Sequence, residues 1–362
     1  MQVRARTYPA AISAALVALT VSLVGGATGA AAAGPPSSEP VCRDVSISTG
    51  LSPSAPQNLQ IYGELCTPAD STPTTIQVLV HGATYSHTYW NFPGFDGKYS
   101  YSGHMNRAGY ATLAIDLLGV GRSSHPLSAS VTIDSEAYAI HSAVQAARSG
   151  TLGTAYRKVI LVGHSLGTLT NHIEAATYDD ADGYIATGTS HGAGPLGLVD
   201  IFETARPALL DPVTAPQVPF GDLGYLSIPG ARTDFYAGGD VDPAVLAADE
   251  ATRSPDPGGY AATLAPYLAA TPLLRTDEIT APVLLVNGSN DSVFCRQGGG
   301  LGYANCADDA TLGESEGPFY GPAAQLETYV LPRSGHDINL VPNAELWYDR
   351  ALEWCQRVAP PV

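Results

Sequence analysis

Basic residues are scarce in this chain. Its 362 residues include 17 Lys and Arg against 34 Asp and Glu, a formal net charge of −17. Lys98 and Lys158 are the only lysines, and no basic run follows Arg6. Nucleic acid is therefore not an expected partner, because affinity for a phosphate backbone needs clustered Lys and Arg. Charged residues make up only 14%, too few for a disordered polyelectrolyte, whereas the 45% hydrophobic content is enough for one large core. The five cysteines form no C-x-x-C, and no histidine pair has ligand spacing, so neither a metal nor any other cofactor is expected. Beyond residue 33 no apolar stretch is long enough to span a bilayer, so no stable membrane insertion is expected.

What is present begins with a targeting pattern. Arg4 and Arg6 precede an apolar run from Ala10 to Val24, and a small-residue tract from Gly25 to Ala33 contains Ala-x-Ala sites. This reads as a secretory signal peptide removed near Ala33, followed by a Pro/Ser leader at 34–40. An exported, extracellular chain suits disulfides. Cys42 and Cys66 lie on neighbouring predicted strands, and Cys295 and Cys306 flank a Gly-rich loop, an arrangement that leaves Cys355 unpaired.

Apolar runs then alternate with helix-like patterns. Strands are expected at Val41–Ser48, Leu59–Cys66, Thr75–Val80, Ala111–Leu117, Lys158–Val162, Gly183–Thr187, Pro282–Val286 and Gln325–Leu331, and helices at Asp134–Arg148, Leu166–Tyr178 and Asn343–Arg357. Unbroken runs such as Val-Ile-Leu-Val at 159–162 suit strands covered on both faces. The pattern predicts an α/β fold with a mostly parallel eight-stranded sheet, helices on both faces and an antiparallel start. Residues 192–280 break the alternation and read as a helical lid inserted into a core of 41–191 and 281–362, with short helices at Leu198–Ala205, Pro243–Thr252 and Gly258–Ala270.

Gly163-His164-Ser165-Leu166-Gly167 sits between the fifth strand and a helix. A serine in such a turn projects above the sheet, and the N–H of Leu166 faces the same space. The pattern is cheap in a chain with 38 glycines, and a second copy, Gly188-Thr189-Ser190-His191-Gly192, follows the sixth strand. Ala-Gly-Pro-Leu-Gly comes next and cannot promptly start a helix, so Ser190 is read as a decoy or pocket residue. A serine nucleophile needs an imidazole base, and the imidazole needs an acid. Asp291 follows the seventh strand and His336 the eighth, giving the order serine, acid, histidine. Asp337, Asp308 and Asp309 are weaker acid candidates. A second oxyanion donor is expected from the N–H of Ala83 in His81-Gly82-Ala83-Thr84, with His81 bracing the loop. His87, Tyr89, Trp90 and His164 are candidate pocket residues. So are Phe202, Leu223, Tyr225, Phe235 and Tyr236 of the lid.

Five landmarks in order, H-G-A-T at 81–84, D-L-L-G-V-G-R-S at 116–123, G-H-S-L-G at 163–167, N-G-S-N-D at 287–291 and S-G-H at 334–336, resemble the α/β-hydrolase superfamily over roughly residues 75–340. The resemblance implies a Ser165–Asp291–His336 triad, an oxyanion hole from Ala83 and Leu166, and a cap between the sixth and seventh strands. It also implies that Asp116, Gly119 and Gly121 form a structural turn. A serine nucleophile disfavours the dehalogenase and epoxide hydrolase branches, and no His-Gly-Gly-Gly or Gly-Gly-Pro-Gly run is present. The expected activity is a secreted serine esterase acting on a small-molecule or lipid-like ester. A lactonase, amidase, acyltransferase or cofactor-free lyase is the alternative within enzymes, and a secreted binding protein of this fold the alternative outside them. The sequence leaves the oligomeric state open.

Overall fold

The computed structural model describes residues 39–194, 202–219, 221–269, 271–296 and 304–362. The expected signal peptide, residues 34–38 of the leader, positions 198–201 of the first lid helix and the Gly298–Gly300 run lie outside the described residues.

Eight strands form one sheet: β1 (Val41–Thr49), β2 (Leu59–Thr67), β3 (Thr75–Val80), β4 (Ala111–Ile115), β5 (Lys158–His164), β6 (Gly183–Thr187), β7 (Val283–Gly288) and β8 (Glu327–Leu331). Their spatial order is β1-β2-β4-β3-β5-β6-β7-β8. β2 pairs antiparallel with both β1 and β4, and every other pairing is parallel. The expected mostly parallel eight-stranded sheet with an antiparallel start is what forms. β3, β4, β6 and β7 are buried along their whole length, as their unbroken apolar runs require, whereas edge strand β1 alternates buried and exposed residues towards its C-terminus.

Helices α1 (Tyr101–Arg107), α2 (Ile133–Ser149) and α3 (Leu166–Tyr178) follow β3, β4 and β5. α2 opens on a capping box between Thr132 and Ser135 and stops at Gly150, whose φ of +80° suits a glycine after a helix. Between β6 and β7 lie α4 (Ala231–Phe235), α5 (Pro243–Ala251) and α6 (Gly258–Ala269). α7 (Asp309–Glu316) precedes β8 and α8 (Glu345–Val358) closes the chain. α8 is amphipathic, and its Trp347 stacks on Tyr101 of α1 at 4.8 Å.

Three departures from the sequence expectation have local causes. The sequence pattern places no helix at α1, a seven-residue element; Ser100 starts it by accepting the Gly103 N–H at 2.8 Å. α7 lacks an apolar stripe, burying only Leu312 and Glu316, and forms on a capping box of Asp308 and Thr311. The segment between β6 and β7 is also not purely helical: Arg206–Pro207, Tyr225–Ser227 and Asp256–Pro257 make a small antiparallel sheet. Two of these strands are two residues long and contain proline, which leaves no alternation to read.

Candidate active site

β5 delivers Ser165 into a sharp turn, with φ +52° and ψ −117°, and α3 begins at the next residue. A non-glycine residue at positive φ is strained, and the surroundings hold it. The Ser165 N–H donates to Thr187 O at 2.8 Å on β6. The flanking glycines are required by contact: a Cβ on Gly163 would lie 2.7 Å from the Thr168 backbone, and one on Gly167 would lie 2.4 Å from the His81 carbonyl oxygen. Leu166 is the first residue of α3, so its N–H has no intrahelical acceptor.

His336 Nε2 stands 2.9 Å from Ser165 Oγ, and His336 Nδ1 stands 2.9 Å from Asp291 Oδ2. Asp291 is fully buried, and its Oδ1 accepts the N–H groups of Val293 at 2.8 Å and Phe294 at 3.0 Å. One carboxylate oxygen is thus fixed by backbone while the other faces the imidazole. The His336 ring packs among Phe235, Phe294 and His164. Asp337, next in sequence, points elsewhere: it accepts from Asn339 N, Leu340 N and the Tyr85 hydroxyl. Asp308 caps α7, and Asp309 accepts from Val330 N.

Gly82 abuts the same turn, since a Cβ there would lie 3.1 Å from Ser165 Cβ. Ala83 and Leu166 line a cavity together with Ser165 and His336. His81 braces this loop: Nδ1 meets Gly82 O at 2.8 Å while Nε2 accepts the Leu117 N–H at 3.1 Å, and burial holds its pKa below the usual histidine value. Thr84, at φ +65°, is held from three sides by the segment between β6 and β7. Its N–H donates to Asp256 Oδ2 at 2.8 Å, its carbonyl accepts from Ser254 N and Arg232 Nη2, both at 2.8 Å, and its hydroxyl contacts Arg232 Nη1.

The cavity is otherwise apolar, with Phe202, Phe235, Leu226, Ile228 and Leu264 in its wall. Asp256 is the exception: burial pushes its pKa up to about 7, against the opposing pull of the Thr84 N–H and the Arg232 charge. Nothing in the sequence distinguished Asp256 or Leu226, which sit in the small sheet that has no periodic pattern, or Ile228 just after it. Phe294 and Val293, also in the wall, were within reach as neighbours of Asp291.

Several expected pocket residues lie elsewhere. His87 is half-buried and pairs with Asp116 at 2.8 Å, where it supports the turn after β4; Asp116 also accepts the Arg122 N–H. Burial raises the Asp116 pKa, but the bonds from His87 and the backbone outweigh that, and the net shift is downward. Tyr89 and Trp90 are buried in the core, Tyr89 stacked on His164 at 4.7 Å and Trp90 edge-on to Tyr101. His164 is fully buried and outside the cavity lining, bonded to Thr187 Oγ1 at 3.1 Å, and burial pushes its pKa well below the usual histidine value. Ser190 is buried and donates to Phe294 O at 3.1 Å. Tyr236 bonds Asp249 at 2.8 Å, Tyr225 donates to Pro126 O, and Leu223 is exposed. Of the expected lid residues, Phe235 and Phe202 reach the cavity.

The cysteines pair as Cys42–Cys66, across facing positions of β1 and β2, and Cys295–Cys306; Cys355 is a buried free thiol. Cys295 N donates to Asp291 O at 3.1 Å, so the second bridge abuts the loop carrying the acid. No helix among the described residues is long and apolar enough to cross a membrane.

A family model described as "Alpha/beta hydrolase family" matches residues 77–347. No curated protein matches the chain. Among solved structures, a putative aryl esterase from Burkholderia cenocepacia is 16% identical at a TM-score of 0.55, covering 87% of this chain and 99% of its own. A soluble variant of monoglyceride lipase from Saccharomyces cerevisiae, in complex with a substrate analogue, is 14% identical at 0.57, over 86% and 96%. The carboxylesterase CesB from Bacillus subtilis is 15% identical at 0.54, over 86% and 91%. At these identities the likeness is one of fold.

Proposed function

The chain belongs to the alpha/beta hydrolase family, and from that premise we propose that it is a secreted serine hydrolase cleaving carboxylic esters through an acyl-enzyme. The hydrogen-bonded run Ser165–His336–Asp291 carries this reading. Ser165 Oγ attacks the ester carbonyl carbon as His336 Nε2 takes its proton, and the N–H groups of Leu166 and Ala83 stabilise the oxyanion. His336 then returns the proton to the departing alkoxide, and the alcohol leaves. Water, activated by the same imidazole, attacks the acyl-enzyme and releases the acid. Asp291 keeps the proton on Nδ1 and stabilises the imidazolium formed in each half-reaction.

Residues 192–280 act as a cap in this reading, and the Phe, Leu and Ile walls supplied by that segment favour an apolar acyl or alkyl group. Secretion is inferred from the N-terminal pattern together with the two disulfides. The test is a panel of acyl esters of graded length, lactones and anilides, run in ¹⁸O-labelled water with and without added alcohol. Ester cleavage with one labelled oxygen in the released acid is expected. Preferential anilide or lactone turnover, or acyl transfer to the alcohol in place of water, would replace ester hydrolysis with the corresponding activity.

A further inference from the structure

The geometry points to a divalent transition-metal site, of the kind that takes Zn²⁺, formed by His141, Glu174 and Asp180 at the end of α3 remote from Ser165. One donor atom from each lies within 4.8 Å of the others. Glu174 projects from α3 into the packing between α2 and α3 and is fully buried, yet no N–H or hydroxyl donates to either of its carboxylate oxygens. Asp180 Oδ1 also lacks a donor. His141 Nδ1 stands 2.8 Å from Asp180 Oδ2, but the ring nitrogen is not aligned to bond it. Three carboxylate oxygens without a donor, two of Glu174 and one of Asp180, therefore belong to this cluster, while Asp180 Oδ2 accepts from Gln145 Nε2, and a buried carboxylate without a donor is costly.

Nearby cations do not resolve this. Arg148 is engaged by the Asp180 carbonyl and the Asp182 carboxylate, and Lys158 by Asp182. One imidazole and two carboxylates suit Zn²⁺, which takes His nitrogen and Asp or Glu oxygen at about 2.0–2.2 Å. The partial exposure of His141 and Asp180 leaves room for entry and for a water ligand. The carbonyl end of α3 adds negative potential. Glu174 lies eight residues past Leu166, roughly 12 Å along the helix, so an ion here braces the helix that follows Ser165 without touching substrate.

The rival arrangement is a single proton shared between Glu174 and Asp180. Chelator-treated mature chain titrated with ZnCl₂ by calorimetry, with parallel melting scans, separates the two. The site predicts 1:1 binding at micromolar affinity or tighter, and a melting temperature that rises with free Zn²⁺. Glu174→Gln and His141→Ala should each weaken that binding at least 100-fold, and Ca²⁺ should bind at least tenfold more weakly than Zn²⁺. Absence of 1:1 binding overturns the proposal, as does binding that survives both substitutions or a site preferring Ca²⁺. If Glu174→Gln is at least as stable as the parent and neither protein responds to Zn²⁺, the shared proton is correct. Should Glu174→Gln not fold, the partly exposed His141→Ala decides the question alone.

Discussion

Ser165 and Ser190 occupy the same position in two copies of G-x-S-x-G, each just after a strand of the central sheet. In the first copy the serine itself takes positive φ and a helix follows at once. In the second copy the positive φ falls on the glycines, +57° at Gly188 and +136° at Gly192, and the serine is left in ordinary backbone. Ser165 Oγ faces an imidazole, whereas Ser190 Oγ donates to the carbonyls of Gly192 and Phe294. The second copy even has a histidine and an acid nearby. His191 Nδ1 meets Glu316 at 2.7 Å and its Nε2 meets Thr276 at 2.6 Å, so both ring nitrogens are used away from Ser190. The same residue types thus give a buried structural knot in one place and an aligned chain beside a cavity in the other.

The largest expected effect separates the two serines directly. Ser165→Ala should lower kcat by roughly 10⁶-fold, while Ser190→Ala stays within several-fold of the parent, measured on a good ester substrate. Comparable losses in both variants would erase the distinction. Next come the two acids. Asp291→Asn should cost about 10⁴-fold in kcat by disturbing the His336 tautomer, whereas Glu316→Gln should lower the melting temperature with little change in kcat.

The pH dependence of stability sharpens the cavity side of the contrast. Folding raises the Asp256 pKa from its ordinary value to about 7, so between pH 4 and 7 the folded chain binds more protons than the unfolded one. The contribution of Asp256 is therefore fully present below about pH 4 and is lost as pH rises through 7, at most about 4 kcal/mol. Asp256→Asn keeps an acceptor for Thr84 and removes this slope. Relative to the parent it should gain stability steadily from pH 4 to 8 in denaturant titrations; a difference independent of pH contradicts the assignment. The smallest effect concerns the Cys295–Cys306 bridge, which adjoins both regions through Phe294. Losing it should cost about 3 kcal/mol in the chain-entropy picture and depress turnover by loosening Asp291. Reduction that leaves both melting and kcat untouched would show the bridge to be idle.

The sequence made the sheet legible because its buried strands are continuous β-branched and Leu-rich runs, and β3 and β6 lie where that pattern placed them. The meeting of Ser165, Asp291 and His336 was legible for a related reason: Ser165 directly follows β5, Asp291 and His336 lie three and five residues past β7 and β8, and the parallel run of these strands brings all three to one edge. The cavity wall was not. Asp256 and Leu226 sit in strands of two and three residues whose positions depend on the Thr84 contacts and the fold of the intervening segment. His87, Tyr89 and Trp90 were misread because proximity to Ala83 in sequence does not fix which way a short helical turn faces. Here it faces the core and Asp116.

In the proposed mechanism one hydroxyl, that of Ser165, is activated by His336. The most direct test of that activation is peptide mapping of the wild-type protein after reaction with a fluorophosphonate. A single stoichiometric phosphonyl adduct on Ser165 is expected, with loss of esterase activity in step with labelling. An adduct on Ser190, or full inactivation with Ser165 unmodified, would contradict it.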